Sequence, residues 1–129
     1  MISFQLLSTD SDYPPLLREI HDPPSRLWGE GDCTLLSKGS RVAIVGAREC
    51  TPYGEEAAFH LARDLTDAGV VVVSGLALGI DSAAHRGALE GCGGKGTTVA
   101  VLGCGIDINY PVENFELKKK IGKQGVVIT

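Results

Sequence analysis

Three glycine-bearing loops hold the residues of this chain best suited to grip an anion. They are Gly46-Ala47-Arg48-Glu49-Cys50-Thr51-Pro52-Tyr53-Gly54, Ser74-Gly75-Leu76-Ala77-Leu78-Gly79-Ile80-Asp81 and Gly103-Cys104-Gly105-Ile106-Asp107. Glycine lets a backbone approach a ligand closely and take up positive φ. Free N–H groups at a following helix start attract negative charge. Together the loops read as a phosphate-binding rim, with Gly46, Ala47, Ser74, Gly75, Gly79, Gly103 and Gly105 as its backbone. Arg48 adds a fork of guanidinium donors that suits a phosphate; an ion pair to Glu49 or Glu55 is its competing use. Lys95, in Gly93-Gly94-Lys95-Gly96, is a second cation. It lies just before an apolar run, so it projects from the opposite edge unless its loop folds back.

Other chemistries find less support. Residues 46–54 do not read G-x-G-x-x-G, no acidic residue ends the second apolar run, and no G-x-x-x-x-G-K-[ST] is present, which excludes a P-loop NTPase. Asp81 and His85 stand at i, i+4 and suggest a general base, but Asp81 reads better as an N-cap and His85 as a structural histidine. No Ser-His-acid set is evident, so no catalytic residue is expected. Cys33, Cys50, Cys92 and Cys104 form no C-x-x-C and no Cys/His pair has ligand spacing. Reduced thiols follow, with no metal and no cofactor.

The rim needs a scaffold. Val42–Val45, Val70–Val73, Thr98–Leu102 and Val126–Ile128 are apolar on both faces, as buried parallel strands are. Between the first two, Ala58, Leu61, Ala62 and Leu65 repeat at helical spacing, with Thr51 as N-cap, Pro52 at N1 and Gly69 as the stop. Ser82 to Leu89 and, more weakly, Glu113 to Ile121 supply two further helices. Lys118, Lys119, Lys120 and Lys123 on the last read as a solvated face, with a phosphate track as the alternative. The order β-α-β-α-β-α-β implies an α/β fold: a parallel sheet of about four strands with right-handed crossovers. Ligands then bind outside the carboxyl ends of the strands. The last strand is expected to lie unpaired on one side.

Residues 1–40 read as a short N-terminal arm that packs on the core, and residues 41–129 as the α/β domain itself. In the arm, Tyr13-Pro14-Pro15 and Asp22-Pro23-Pro24 bracket a short amphipathic stretch. Trp28-Gly29-Glu30-Gly31-Asp32 reads as a turn, and Leu16, Leu17, Ile20, Leu27 and Trp28 as anchors. At 129 residues, 43% hydrophobic and 22% charged, the chain suits one globular domain. The net charge of -4 argues against a general polyanion binder. Residues 1–40 carry six acidic against three basic residues, and residues 41–129 carry ten against nine. Any nucleic-acid surface is therefore a local patch. No apolar run approaches the ~20 residues that span a bilayer, and MISFQLLSTD lacks a basic n-region. A cytoplasmic location without membrane contact is expected.

The order and spacing of these pieces resemble the DprA/Smf family of bacterial DNA-processing proteins over nearly the full length. The matching stretches run from Tyr13-Pro14 and Asp22-Pro23-Pro24 through Leu27-Trp28-Gly29-Glu30-Gly31 and Val42-Ala43-Ile44-Val45-Gly46-Ala47-Arg48. They continue through Ser74–Asp81 with Ala84-His85 to Thr98–Asp107 with Tyr110-Pro111 and Asn114. The resemblance implies a Rossmann-like domain that binds single-stranded DNA, helps load RecA in natural transformation, forms a homodimer and catalyses nothing. It maps DNA-phosphate contacts onto Arg48 and Lys95. It also implies that the family's domain continues past Thr129, with a serine-glutamate step and an arginine-asparagine-arginine stretch lining the DNA groove. Two rivals remain. One is a phosphoribohydrolase of the lysine-decarboxylase-like type, whose P-G-G-x-G-T signature Gly93-Gly94-Lys95-Gly96-Thr97 loosely echoes. The other is an inactive remnant of the fold.

Overall fold

A computed structural model describes residues 3–129. The parallel core runs β3 (Arg41–Ala43), α2 (Pro52–Asp67), β4 (Val71–Ser74), α3 (Ile80–Gly94), β5 (Thr98–Val101), α4 (Phe115–Gln124) and β6 (Val126–Ile128). Before it come β1 (Ser3–Leu7), the short α1 (Pro15–Arg18) and β2 (Arg26–Gly31). All six strands join one sheet in the order β1-β2-β6-β5-β4-β3. The fold is α/β and Rossmann-like in layering, with six strands where the apolar runs alone predict about four.

From β3 to β6 each parallel strand is laid down beside the last, always in the same direction. Right-handed crossovers then place α2, α3 and α4 on one face. Val72, Ala100 and Val127 pack beneath Ala62, Ala84, Ala88, Leu89 and Ile121 there. The alternate residues Val99, Val126 and Ile128 pack on the other face against Tyr13, Leu27 and Leu36. Burial on both faces explains why these strands read as unbroken apolar runs.

The N-terminal residues contribute more than a covering. Trp28–Gly31 is not a turn but the body of β2, paired antiparallel with β1 and β6. Gly29 is there because a side chain would run into the Phe4 ring across the pair. β6 is consequently an interior strand, and among the described residues the outer strands are β1 and β3. The anchors differ accordingly. Leu27 is buried, but Leu16, Ile20 and Trp28 are 70%, 49% and 45% exposed. Tyr13 is the anchor that composition hides: it is fully buried, and its hydroxyl donates to the Pro24 carbonyl at 2.7 Å.

Thr51 caps α2 as expected, its hydroxyl accepting from the Gly54 N–H at 3.0 Å, with Pro52 next. Gly69 follows the helix at φ 86°. The third helix starts later than its pattern suggests, because Val112–Asn114 forms a 3₁₀ turn first, and it runs on to Gln124. α2 and α3 approach closely through small residues. A side chain at Gly87 would strike the Phe59 carbonyl, and one at Gly91 would sit 2.8 Å from Thr66 Cβ. Gly87→Ala should therefore push the two helices apart and lower unfolding stability by about 1–3 kcal/mol. Urea denaturation reads this as a drop in midpoint with little change in slope.

Candidate functional site

A cavity of about 280 Å³ opens at the carboxyl edge of the parallel strands. Arg48 of the first loop, Gly75–Leu78 of the second and Gly103 and Cys104 of the third line it, with Tyr110 and Pro111 closing one side. The predicted convergence of three loops on one edge is thus present in the fold.

Some of the glycines serve loop packing. Gly79 caps α3 at φ 82°, and a side chain there would collide with the carbonyls of Ala47 and Arg48. One at Gly46 would meet the Ile80 side chain at 2.8 Å. The Ile80 N–H donates to the Ala47 carbonyl at 3.2 Å, so the first loop rests on the start of α3. Ser74 also turns inward, its hydroxyl donating to the Ile44 carbonyl at 2.6 Å. Gly103, in contrast, has open space where a side chain would stand, and a side chain at Gly105 would approach Asp107 Oδ1 at 3.0 Å.

The second loop is clamped from beneath. Asp81 is not the N-cap, which is Gly79; its carboxylate accepts instead from the N–H groups of Gly75 and Ala77 at 3.1 and 3.4 Å. His85 Nε2 accepts from the Leu76 N–H at 3.3 Å. Asn114, buried at the start of α4, donates to the Leu76 carbonyl at 2.9 Å and to the Ser82 hydroxyl at 2.8 Å. These bonds hold Leu76 in a left-handed conformation, φ 61°. They also consume amides that the sequence offers to an anion. N–H groups without an acceptor among the described residues remain on Gly46, Ala47 and Arg48, on Leu78 and Gly79, and on Gly103, Cys104 and Gly105. The anion-binding capacity therefore spans all three loops, the second keeping only the Leu78 and Gly79 amides at the start of α3 while its Leu76, Ala77 and Leu78 line the cavity floor.

Arg48 is exposed and has no carboxylate partner among the described residues, which leaves Glu49 and Glu55 out of its contacts. Lys118 departs from the solvated run expected of it. It is 7% exposed, and its ammonium donates to the carbonyls of Ile106 and Ile108 at 2.6 and 3.0 Å. A buried cation thus ties the third loop to α4. Lys119 pairs with Glu116 at 3.4 Å, while Lys120 and Lys123 are exposed. Lys95 follows α3 and precedes β5, on the edge opposite the cavity. Its loop does not fold back, because Gln124 Nε2 donates to Gly94 and Gly96 carbonyls on either side of it at 3.2 and 2.9 Å. Asn114, Tyr110 and Lys118 are the site-forming residues that spacing alone missed. Only the Tyr110-Pro111 and Asn114 pattern carried a signal for two of them.

The tautomer of His85 follows from its partners. Thr98 Oγ1 donates to the Val72 carbonyl at 2.7 Å, so its oxygen accepts from His85 Nδ1 at 2.9 Å. The ring is neutral with Nδ1 protonated. Burial, with a smaller push from Arg86, lowers its pKa from 6.5 to about 3. A sealed, neutral imidazole with both nitrogens engaged cannot serve as a general base. Among the described residues no group of His, Cys, Asp and Glu is placed to hold a metal, and no helix is long and apolar enough to cross a membrane.

The same architecture occurs in known proteins. A family model described as DNA recombination-mediator protein A matches residues 5–129. DNA processing protein DprA of Bacillus subtilis is 39% identical over 121 residues, covering 94% of this chain and 40% of that protein. DprA of Streptococcus pneumoniae is 42% identical over 127 residues, covering 98% of this chain and 43% of that protein. The chain thus spans less than half the length of these relatives. The X-ray structure of S. pneumoniae DprA superposes with a TM-score of 0.86 at 38% identity, over 97% of this chain and 42% of that one. A structure of DprA from Helicobacter pylori, described for its single-stranded DNA binding mode, superposes with a TM-score of 0.84 at 33% identity, over 98% and 54%.

The His85 environment generates a pH dependence. Its folded-state pKa lies below the unfolded value of 6.5, so the unfolded chain takes up a proton that the native ring refuses. Stability from this group is intact above pH 6.5 and falls as pH drops below it. Unfolding free energy should decline towards a limiting slope of about 1.4 kcal/mol per pH unit from this residue. His85→Gln should flatten the profile between about pH 6.5 and 5, above the main carboxylate titrations. Parallel slopes in the two proteins would refute the assignment.

Proposed function

The chain belongs to the DNA recombination-mediator protein A family, and from that premise we propose that it binds single-stranded DNA along the carboxyl edge of its parallel sheet. The observation that carries this reading is the cavity rim: an exposed Arg48 with no carboxylate partner among the described residues, beside unused N–H groups on the three loops. Such a site grips phosphate oxygens by charge and geometry and does not read base edges. The H. pylori relative's described single-stranded DNA binding supports the choice of ligand.

The role is DNA processing, as the relatives' names state for those proteins. The resemblance extends the proposal to RecA loading in natural transformation, to a homodimer and to a cytoplasmic setting. We assign no catalytic step. Arg48 and the backbone of Gly46, Ala47, Gly103 and Gly105 are the proposed contacts, with Ser74, Gly75 and Gly79 shaping the loops that present them. Lys95, on the far edge, contributes only where the strand wraps around the domain.

Fluorescence anisotropy of labelled oligo-dT, a duplex and a labelled ATP analogue, at low and moderate salt, tests the reading. Salt-sensitive binding to oligo-dT alone supports it; binding of the nucleotide alone moves the assignment to a phosphoribohydrolase-like site. Arg48→Ala should weaken oligonucleotide binding for all sequences alike and reduce the salt slope by about 0.7, the value of one single-strand phosphate contact. Lys95→Ala should change both less. Equal binding by Arg48→Ala and the parent chain would remove Arg48 from the site.

A further inference from the structure

The carboxyl edge of the sheet continues past β6. Trp28 of β2 exchanges both backbone hydrogen bonds with Thr129, at 3.0 and 2.9 Å, and so lies level with the end of β6. Leu27 is buried against the Tyr13 side of the sheet, so the alternation of β2 turns Arg26 and Trp28 to the helix-bearing face. There Trp28 remains 45% exposed, with the Arg26 guanidinium 5.7 Å from its ring centroid. The Gln5 amide, turned so that its oxygen faces the guanidinium, accepts from Arg26 Nε at 2.8 Å and Nη1 at 3.2 Å. Arg26 has no carboxylate partner among the described residues. Trp28 belongs to none of the buried clusters. The largest side chain of the protein is held on the surface by an oriented cation and fills no gap in the core.

We propose that Trp28 and Arg26 form a stacking subsite for a nucleobase of the same single strand whose backbone lies at the Arg48 cavity. This rests on the DNA-binding reading and deepens it. β2 is separated from β5, whose following loop lines the cavity, by β6 alone. At about 4.8 Å per strand, the subsite lies roughly 10 Å along the edge from the third loop, a span that neighbouring nucleotides of one strand cover. Every base has a π-face, so an indole accepts any of them, and the guanidinium adds a cation at the same place. The pairing of phosphate rim with stacking platform is the arrangement that binds single strands without choosing sequence.

Trp28 is the one tryptophan of the chain, so intrinsic fluorescence reports on it directly. The test titrates the protein with labelled oligo-dT of about 12 nucleotides, and with an abasic strand of equal length, following anisotropy and indole emission together. The expected result is quenching by oligo-dT and none by the abasic strand. Trp28→Leu should weaken oligo-dT binding about tenfold, within the range for loss of one stacked base, and leave abasic binding unchanged. Binding of oligo-dT without quenching, or equal weakening of both strands by Trp28→Leu, overturns the subsite while DNA binding stands. No anisotropy change with either strand overturns both.

Discussion

The loop after β4 is fixed from below by Asp81, His85 and Asn114, and the geometry of the cavity edge follows from that constraint. Each of the three is at most 6% exposed. Each uses its polar atoms on the loop backbone: Asp81 on Gly75 and Ala77, His85 and Asn114 on Leu76. A buried polar group left without a partner is costly, so these side chains and the loop specify one another. The clamp reaches into the sheet through Thr98 and onto α3 through Ser82. Because α3 begins against Ala47 and Arg48, fixing the second loop also fixes the first.

Charges of both signs are spread over the surface. Glu55, Glu56, Glu90, Glu113 and Glu116 are exposed on the helix layer. The cavity rim presents Arg48 and free amides, and Lys118 sits under the third loop. Arg86, Lys120 and Lys123 are exposed on the same layer as those glutamates, and Glu49 and Asp107 on the rim loops, so the rim stands out by its free donors and not by a separation of charge.

The legible parts of the fold were those whose cause is local. β4, β5 and β6 announce themselves because burial on both faces demands apolar residues at every position, and α2 because Thr51-Pro52 caps it and Gly69 ends it. β1 and β2 are hidden because their strand character comes from pairing with each other and, for β2, with β6 far along the chain, while Gly29 and Gly31 imitate a turn. At the site, Arg48 and its loop could be read from residue types. The diversion of the Gly75, Leu76 and Ala77 amides to Asp81 and His85 could not, since a donor's choice of acceptor is a tertiary fact. Lys118 was hidden for the same reason: only the packing of α4 decides which lysine of the run faces inward.

The antiparallel seam between β2 and β6 joins segments about a hundred residues apart in sequence. Closing so long a loop carries an entropic cost that no local contact offsets in advance. The β3–β5 ladder and its crossover helices can assemble from near neighbours, whereas β1 and β2 have no interior partner until β6 is in place. By contact order the N-terminal ribbon should dock after the parallel ladder. Its buried Tyr13 and Leu27 should then weigh on how long the native state survives more than on how fast it is reached.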